Sequence, residues 1–198
     1  MHIELRKACN RCILRGITFL LLVILLLGIR WMFPTAIQSV LLAKFLSRST
    51  IKTTMKLTSL AFSNNGNVPS KYTCDGQNVN PPLSFEDIPA NAKSLVLIVD
   101  DPDAPMGTWD HWIIFNIPPT VADISENSVP AGTQALISWG KPGYGGPCPP
   151  SGTHHYHFKL YALDAMIMLG SSAKKADIEQ AMQGHILEQT ELLGLYSR

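Results

Sequence analysis

Charge is what this 198-residue chain has little of: Asp, Glu, Lys and Arg together make up 16% of it. Several catalytic signatures are missing as well. No Gly-x-Ser-x-Gly elbow occurs, and Ser151 sits in a loop where a tight turn accounts for it, so nucleophilic serine chemistry has no platform here. The glycines between Gly140 and Gly146 lack the Lys-Ser/Thr ending and the following helix of a phosphate-binding P-loop. No His-x-x-x-His pair suggests a metal site on a helix. No internal repeat is visible, and strands do not alternate with helices, which argues against Rossmann and (β/α) barrel folds.

The charge that is present is split. Residues 1–54 carry eight Lys/Arg and one acidic residue, whereas residues 55–198 carry eight Lys/Arg and fourteen Asp/Glu. A basic leader therefore precedes an acidic domain. The acidic part has no Lys/Arg cluster, which argues against nucleic acid as a partner.

The leader contains fourteen uncharged, mostly aliphatic residues between Arg15 and Arg30. As a helix this run is about 21 Å long, short of the ~30 Å hydrocarbon core. With Arg15 and Arg30 snorkelling, a segment from about Ile13 to Phe33 could span a bilayer. A secretory signal peptide has an apolar run of similar length, but Phe33-Pro34-Thr35-Ala36-Ile37 is a poor cleavage site. The expectation is a single-pass anchor in the inner membrane, with 31–54 as tether and the domain outside the cytoplasm. If translation starts at Met55, the protein is instead cytoplasmic. In either case residues 1–54 are expected to be dispensable for folding. Cys9 and Cys12 have redox or metal spacing, but no second pair completes a zinc site, and they read as incidental juxtamembrane thiols.

From Met55 the texture becomes that of short strands. Lys56–Phe62, Leu83–Phe85, Ser94–Val99, His111–Ile117, Leu136–Trp139 and Tyr156–Leu163 are β-rich runs, separated by Pro- and Gly-rich connections. In the last of them Tyr156, Phe158, Leu160 and Ala162 share one face. Helical spacing occurs near the C-terminus alone, where Ile178, Ala181, Met182, His185 and Ile186 recur and Ser171 or Ser172 can cap. The predicted fold is mainly β: an antiparallel β-sandwich with a peripheral C-terminal helix, spanning residues 55–198.

Chemistry-bearing residues concentrate in three stiff segments. Asp101 and Asp103 flank Pro102 at the end of a buried strand, where they could form an acid/base pair, or one could cap the turn while the other orients a histidine. His111 opens the next apolar run between Asp110 and Trp112. In His154-His155-Tyr156-His157, alternation sends His154 and Tyr156 to one face and His155 and His157 to the other. Asp101, His111 and His154 have the composition of a two-histidine, one-carboxylate metal site, and His155/His157 that of a metal pair. Neither has a supporting motif, so no metal or cofactor is expected. Gly140–Gly152 holds five Gly and four Pro in thirteen residues, a shaped loop whose backbone N–H groups can approach a ligand.

Asp101-Pro102-Asp103-Ala104-Pro105, Trp109-x-His111 and Gly152-x-His154-x-Tyr156 together resemble the phosphatidylethanolamine-binding, or Raf-kinase-inhibitor-like, family. Tyr72-Thr73-Cys74-Asp75-Gly76, Pro81-Pro82-Leu83 and the run from Gly143 to Pro150 are similar to its bacterial YbhB/YbcL branch. The resemblance covers about Met55 to Arg198. It implies a β-sandwich with a small pocket for phosphate-like anions or phospholipid head groups. Asp101, His111, His154 and Tyr156 would line the pocket, Asp103 would support it, and Pro147 would stand on its rim. The chain departs from the family at His155, where Arg is usual, which implies a changed ion pair behind the pocket. The resemblance also puts the loops of Cys74 and Cys148 near the pocket mouth, within disulfide range, although two separate buried thiols fit the sequence equally well. A binding protein without catalysis is the leading expectation. A kinase or protease inhibitor using the same pocket is the alternative, and a phosphate-ester hydrolase with the same His and Asp residues is a third.

Overall fold

The computed structural model describes residues 54–198; the expected anchor, its tether and the Cys9/Cys12 pair lie outside them. Among the described residues no helix is long and apolar enough to cross a membrane.

Two sheets make up the domain. The larger has six strands in the order β2-β9-β8-β4-β5-β7: β2 (Gly66–Asn67), β9 (Ile186–Ser197), β8 (Thr153–Leu163), β4 (Ser94–Asp101), β5 (Trp109–Ile117) and β7 (Thr133–Gln134). The smaller has three, in the order β1 (Lys56–Thr58), β3 (Leu83–Glu86) and β6 (Asp123–Ile124). All pairings are antiparallel except β2 with β9, which is parallel, so the larger sheet is mixed at that edge.

Strand alternation sorts the core. Leu95, Leu97 and Val99 of β4, with Tyr156, Phe158 and Leu160 of β8, pack against Leu57, Leu83, Phe85 and Ile124 of the smaller sheet. Val96, Ile98, Ile113 and Phe115 face the other way, onto Ile137, Ile167, Ile178 and Met182. The second layer is closed by α1 (Lys175–Met182), whose buried residues are Ile178 and Met182. All eight residues of β4 are consequently buried, which explains its unbroken apolar reading. A fully buried leucine such as Leu97 contributes about 1.5–3 kcal/mol.

Three expectations need correction. Leu136–Trp139 is not a strand: its N–H groups bond across loops, Leu136 to the Ala173 carbonyl, Ile137 to Lys141 and Ser138 to Asp110. Neither Ser171 nor Ser172 caps the helix; the Lys174 N–H donates to Asp177 Oδ2 at 2.9 Å, and the helix starts after it. The helical spacing also ends at Met182, and Ile186 opens the twelve-residue β9, which pairs with β8 along its whole length.

A β-bulge has the largest consequence for the chemistry. Opposite β4, the register of β5 runs Val99↔Trp112 and then Asp100↔Asp110, so His111 is the extra residue. Asp110 reaches the helix side, 3.3 Å from Lys175 Nζ, whereas His111 lies edge-on to Tyr156 on the same side as Trp112. Strict alternation would have sent His111 and Trp112 to opposite faces.

Candidate functional site

The C-terminal end of β4 and the N-terminal ends of its neighbours β5 and β8 lie together at one end of the larger sheet, beside the turn Ala104–Met106 and the loop 138–152. Between these lies a cleft of about 390 Å³ lined by Asp101, Met106, Trp109, His111, Trp139 and His154, with Cys148 and Pro150 on one wall. Three of the expected site residues are thus brought together: Asp101, His111 and His154.

Asp101 carries out both jobs that the sequence divided between two aspartates. Its Oδ1 accepts the Asp103 N–H at 2.9 Å and closes the turn, while Oδ2 lies 2.7 Å from His154 Nδ1. Both side chains are sealed, 5% and 9% exposed. Because a carboxylate only accepts, His154 carries a proton on Nδ1, and Nε2 is the nitrogen that this cleft-lining ring leaves available.

His111 is fixed by the glycine-rich loop. Its Nδ1 donates to the Gly145 carbonyl at 2.6 Å, and the Gly145 N–H returns a bond to the His111 carbonyl at 2.8 Å. Burial pushes the pKa of His111 down; the Gly145 hydrogen bond and the nearby charge of Asp101 offset this in part. At neutral pH the ring is therefore uncharged, with Nδ1–H committed and a lone pair on Nε2.

Gly145 is held in turn by its neighbours. The Gly146 N–H donates to Asn78 Oδ1 at 2.7 Å, and the Tyr144 hydroxyl donates to the Tyr72 carbonyl at 2.8 Å. A Cβ on Gly146 would stand 2.3 Å from the Tyr72 carbonyl oxygen, and one on Gly145 would stand 2.5 Å from the Trp139 ring. Both glycines are needed for close approach. Trp139 in turn packs edge-on to His111 and to Trp109, with centroids 5.1 and 5.4 Å away.

The remaining expected residues stand around this centre. Tyr156 is fully buried beneath the histidines. Its hydroxyl lies near the Cys148 N–H and the Asp101 carboxylate, both of which influence its acidity, yet it meets hydrogen-bond geometry with neither. Burial is the main cause that raises its pKa. Asp103 is outside the cleft wall: Oδ2 takes the N–H of His155 at 2.9 Å and its ring Nδ1 at 2.7 Å. That hydrogen bond holds the Asp103 carboxyl below its usual range. His155 thus contacts Asp103 at the position where the resemblance implied a changed ion pair, a pair that is ionic when the ring is protonated. Pro147 is buried behind the wall, its carbonyl accepting the Cys74 N–H, and the edge at that point is formed by Cys148 and Pro150. Cys74 and Cys148 form a disulfide, with Cα atoms 5.4 Å apart. His157 bonds Glu191, and among the described residues no group of three His, Cys, Asp or Glu could hold a metal ion.

Sequence reasoning missed the support on the opposite face. Asp100, fully buried, takes Lys159 on Oδ1 at 2.8 Å and Lys175 on Oδ2. This pair of lysines anchors the end of β4 immediately behind Asp101. It missed Asn78 and Trp139 too. A hint existed for Asp100, since a charged residue inside an apolar strand requires a partner; for Asn78 there was none.

Comparison with known proteins agrees with this architecture. The family model "Phosphatidylethanolamine-binding protein" matches residues 58–197. A UPF0098 protein of Methanothermobacter thermautotrophicus is 51% identical over 150 residues, covering 73% of this chain and 99% of its own. A crystal structure of a putative phosphatidylethanolamine-binding protein homologue from Chlamydia trachomatis superposes with a TM-score of 0.71 at 44% identity, over 73% of this chain and 98% of that one. The structure of E. coli YbcL, described as a new member of the mammalian family, superposes with a TM-score of 0.69 at 29% identity, over 74% and 99% of the two chains. The chain belongs to the phosphatidylethanolamine-binding protein family.

Proposed function

We propose that the domain is a binding protein whose cleft takes a phosphate-like anion, free or as a phospholipid head group. One observation carries this reading: the two imidazoles have Nδ1 tied to fixed acceptors, Gly145 and Asp101, and both rings line the same cleft, which leaves Nε2 as the nitrogen available to a ligand. A proton gained by either ring goes to Nε2 and becomes a donor aimed at an anion, so binding tightens as pH falls through the histidine range. The leader would hold this site at a membrane surface, within reach of head groups.

Among the described residues no Ser or Thr hydroxyl lines the cleft and Cys148 is held in the disulfide, which disfavours covalent catalysis through a hydroxyl or thiol. Turnover of a phosphate ester that disappears in His154→Ala would instead support hydrolysis with the His and Asp residues as acid and base. The inhibitor reading draws on the mouth, where Met106 is 94% and Trp139 44% exposed, an apolar rim suited to a polypeptide flank. Calorimetric titration with phosphoethanolamine tests the proposal: the wild type should bind at least about tenfold more tightly than the His111→Ala/His154→Ala protein. Equal affinities would remove the cleft from consideration, and capture of a protein that free phosphate displaces would move the assignment to the inhibitor.

A further inference from the structure

The charge inventory of the cleft restricts which anions fit. Among its lining residues there is no Lys or Arg, and there is one carboxylate, Asp101. The cations nearby are committed elsewhere: Lys159 and Lys175 to Asp100 on the opposite face, and Arg198 to Asp75 at 3.1 Å, its guanidinium 3.6 Å from Cys148 Sγ. Among the described lining residues, a dianion entering this cleft therefore meets Asp101 with the two imidazoles as counterweight.

The imidazoles, moreover, do not donate in their neutral form. His111 spends its one N–H on the Gly145 carbonyl, and His154 spends its own on Asp101. What each neutral ring shows the ligand is a lone pair, which repels the bare oxygen of an oxyanion and accepts from a P–OH group. Gly145 cannot release His111 easily, because Asn78, Tyr72 and the disulfide hold its loop on three sides.

We propose that the cleft selects oxyanions that still carry a proton, hydrogenphosphate monoesters, and rejects sulfate monoesters of the same shape. This rests on the anion-binding reading above and narrows its ligand class: among phospholipid head groups it leaves those that end in a phosphate monoester, since a phosphodiester has no more proton to offer than a sulfate monoester. A phosphate monoester has its second pKa at about 6, so near neutrality it can keep or regain a proton and place it between its oxygen and His111 Nε2. A sulfate monoester has no such proton to offer, and its binding requires the charged form of His111. That form is disfavoured by burial; Asp101 on β4 and Asp110, the preceding residue of β5, act the other way, and Tyr156 and His154 on β8 are the remaining titratable neighbours. The aromatic walls, Trp109 and Trp139, accept the same organic group in either ester.

Phenyl phosphate and phenyl sulfate are suitable probes, titrated calorimetrically into the full-length chain at pH 7.5 and pH 5.5 in buffers of different ionisation heat. At pH 7.5 phenyl phosphate should bind at least about tenfold more tightly, because it can supply the shared proton that phenyl sulfate lacks. It should take up about one proton per ligand, and the gap should narrow at pH 5.5. His111→Asn keeps a donor for the Gly145 carbonyl but removes the lone pair, so the two esters should then bind within about threefold of each other. Equal affinities of the wild type for the two esters at pH 7.5, or phosphate binding without proton uptake, would overturn the proposal. Failure of both esters to bind at either pH would instead overturn the anion-site reading on which it stands.

Discussion

His154 Nδ1 stands 2.7 Å from Asp101 Oδ2, and the second oxygen of the same carboxylate closes the Asp101–Asp103 turn. One buried carboxylate thus ties the end of β4, the loop that follows it and the imidazole of β8 into a single unit. Asp101→Asn keeps the shape but supplies an amide that can present its NH₂ to Nδ1. The tautomer of His154 should then become mixed, visible in the ring ¹⁵N shifts, with about 1.5–3 kcal/mol lost from stability. A His154 that stays protonated on Nδ1 in this variant would show that Asp101 does not set the tautomer.

Acid should weaken the fold through His111. Its pKa in the folded state is below the usual 6.5, so the unfolded chain takes up a proton first as pH drops. The stabilising contribution is complete above about pH 6.5 and declines as pH falls toward the folded value. Asp103, whose pKa is lowered, adds a similar loss only in the more acidic carboxylate range, while Asp110, whose pKa is raised by burial, acts in the opposite sense there. Urea midpoints between pH 7.5 and 5 should fall for the wild type and fall less for His111→Asn; parallel slopes would contradict the assignment.

Those two residues also show what a sequence can and cannot disclose. Alternation placed Tyr156, Phe158, Leu160 and Ala162 on a buried face, and so they are, because a long central strand has no freedom to do otherwise. His154 and His155 separated for the same reason. His111 reached the cleft through a bulge, a change of register that depends on the partner strand and leaves no local pattern. β9 escaped notice because Gln189 and Glu191 are exposed on one face and Glu188 on the other accepts the Met55 N–H, so its first half shows no alternation of core residues. Leu136–Trp139 misled in the opposite sense: its apolar side chains are used for packing in a loop and for the wall of the cleft, not for a ladder.

The loop that orients His111 should tolerate little added volume. Gly146→Ala puts a methyl group against the Tyr72 carbonyl, fixed backbone that cannot rotate away. A loss of about 1–3 kcal/mol is expected in chemical denaturation. The accompanying shift of Gly145 should release His111 Nδ1, read from its ring ¹⁵N signal. A variant of wild-type stability would mean that the loop is free to move.

Breaking the disulfide removes a cross-link between residues 74 apart in sequence. The double substitution Cys74→Ser/Cys148→Ser should cost about 2–4 kcal/mol, measured by guanidinium unfolding. The cleft should persist, since Cys74 N–H to Pro147, Gly146 N–H to Asn78 and Tyr144 to Tyr72 still join the two loops. Loss of anion binding in a folded double variant would show that these bonds are insufficient without the bridge.

The claim at the centre of this account is that His111 and His154 together meet the anion through Nε2. Long-range ¹H–¹⁵N spectra of the imidazole rings, recorded while inorganic phosphate is added at pH 6.5, test it most directly. Saturable shifts of both Nε2 signals, with Nδ1 protonated throughout and His155, His157 and His185 unmoved, are the predicted result. Unchanged Nε2 signals at saturating phosphate, or shifts confined to the exposed histidines, would contradict it.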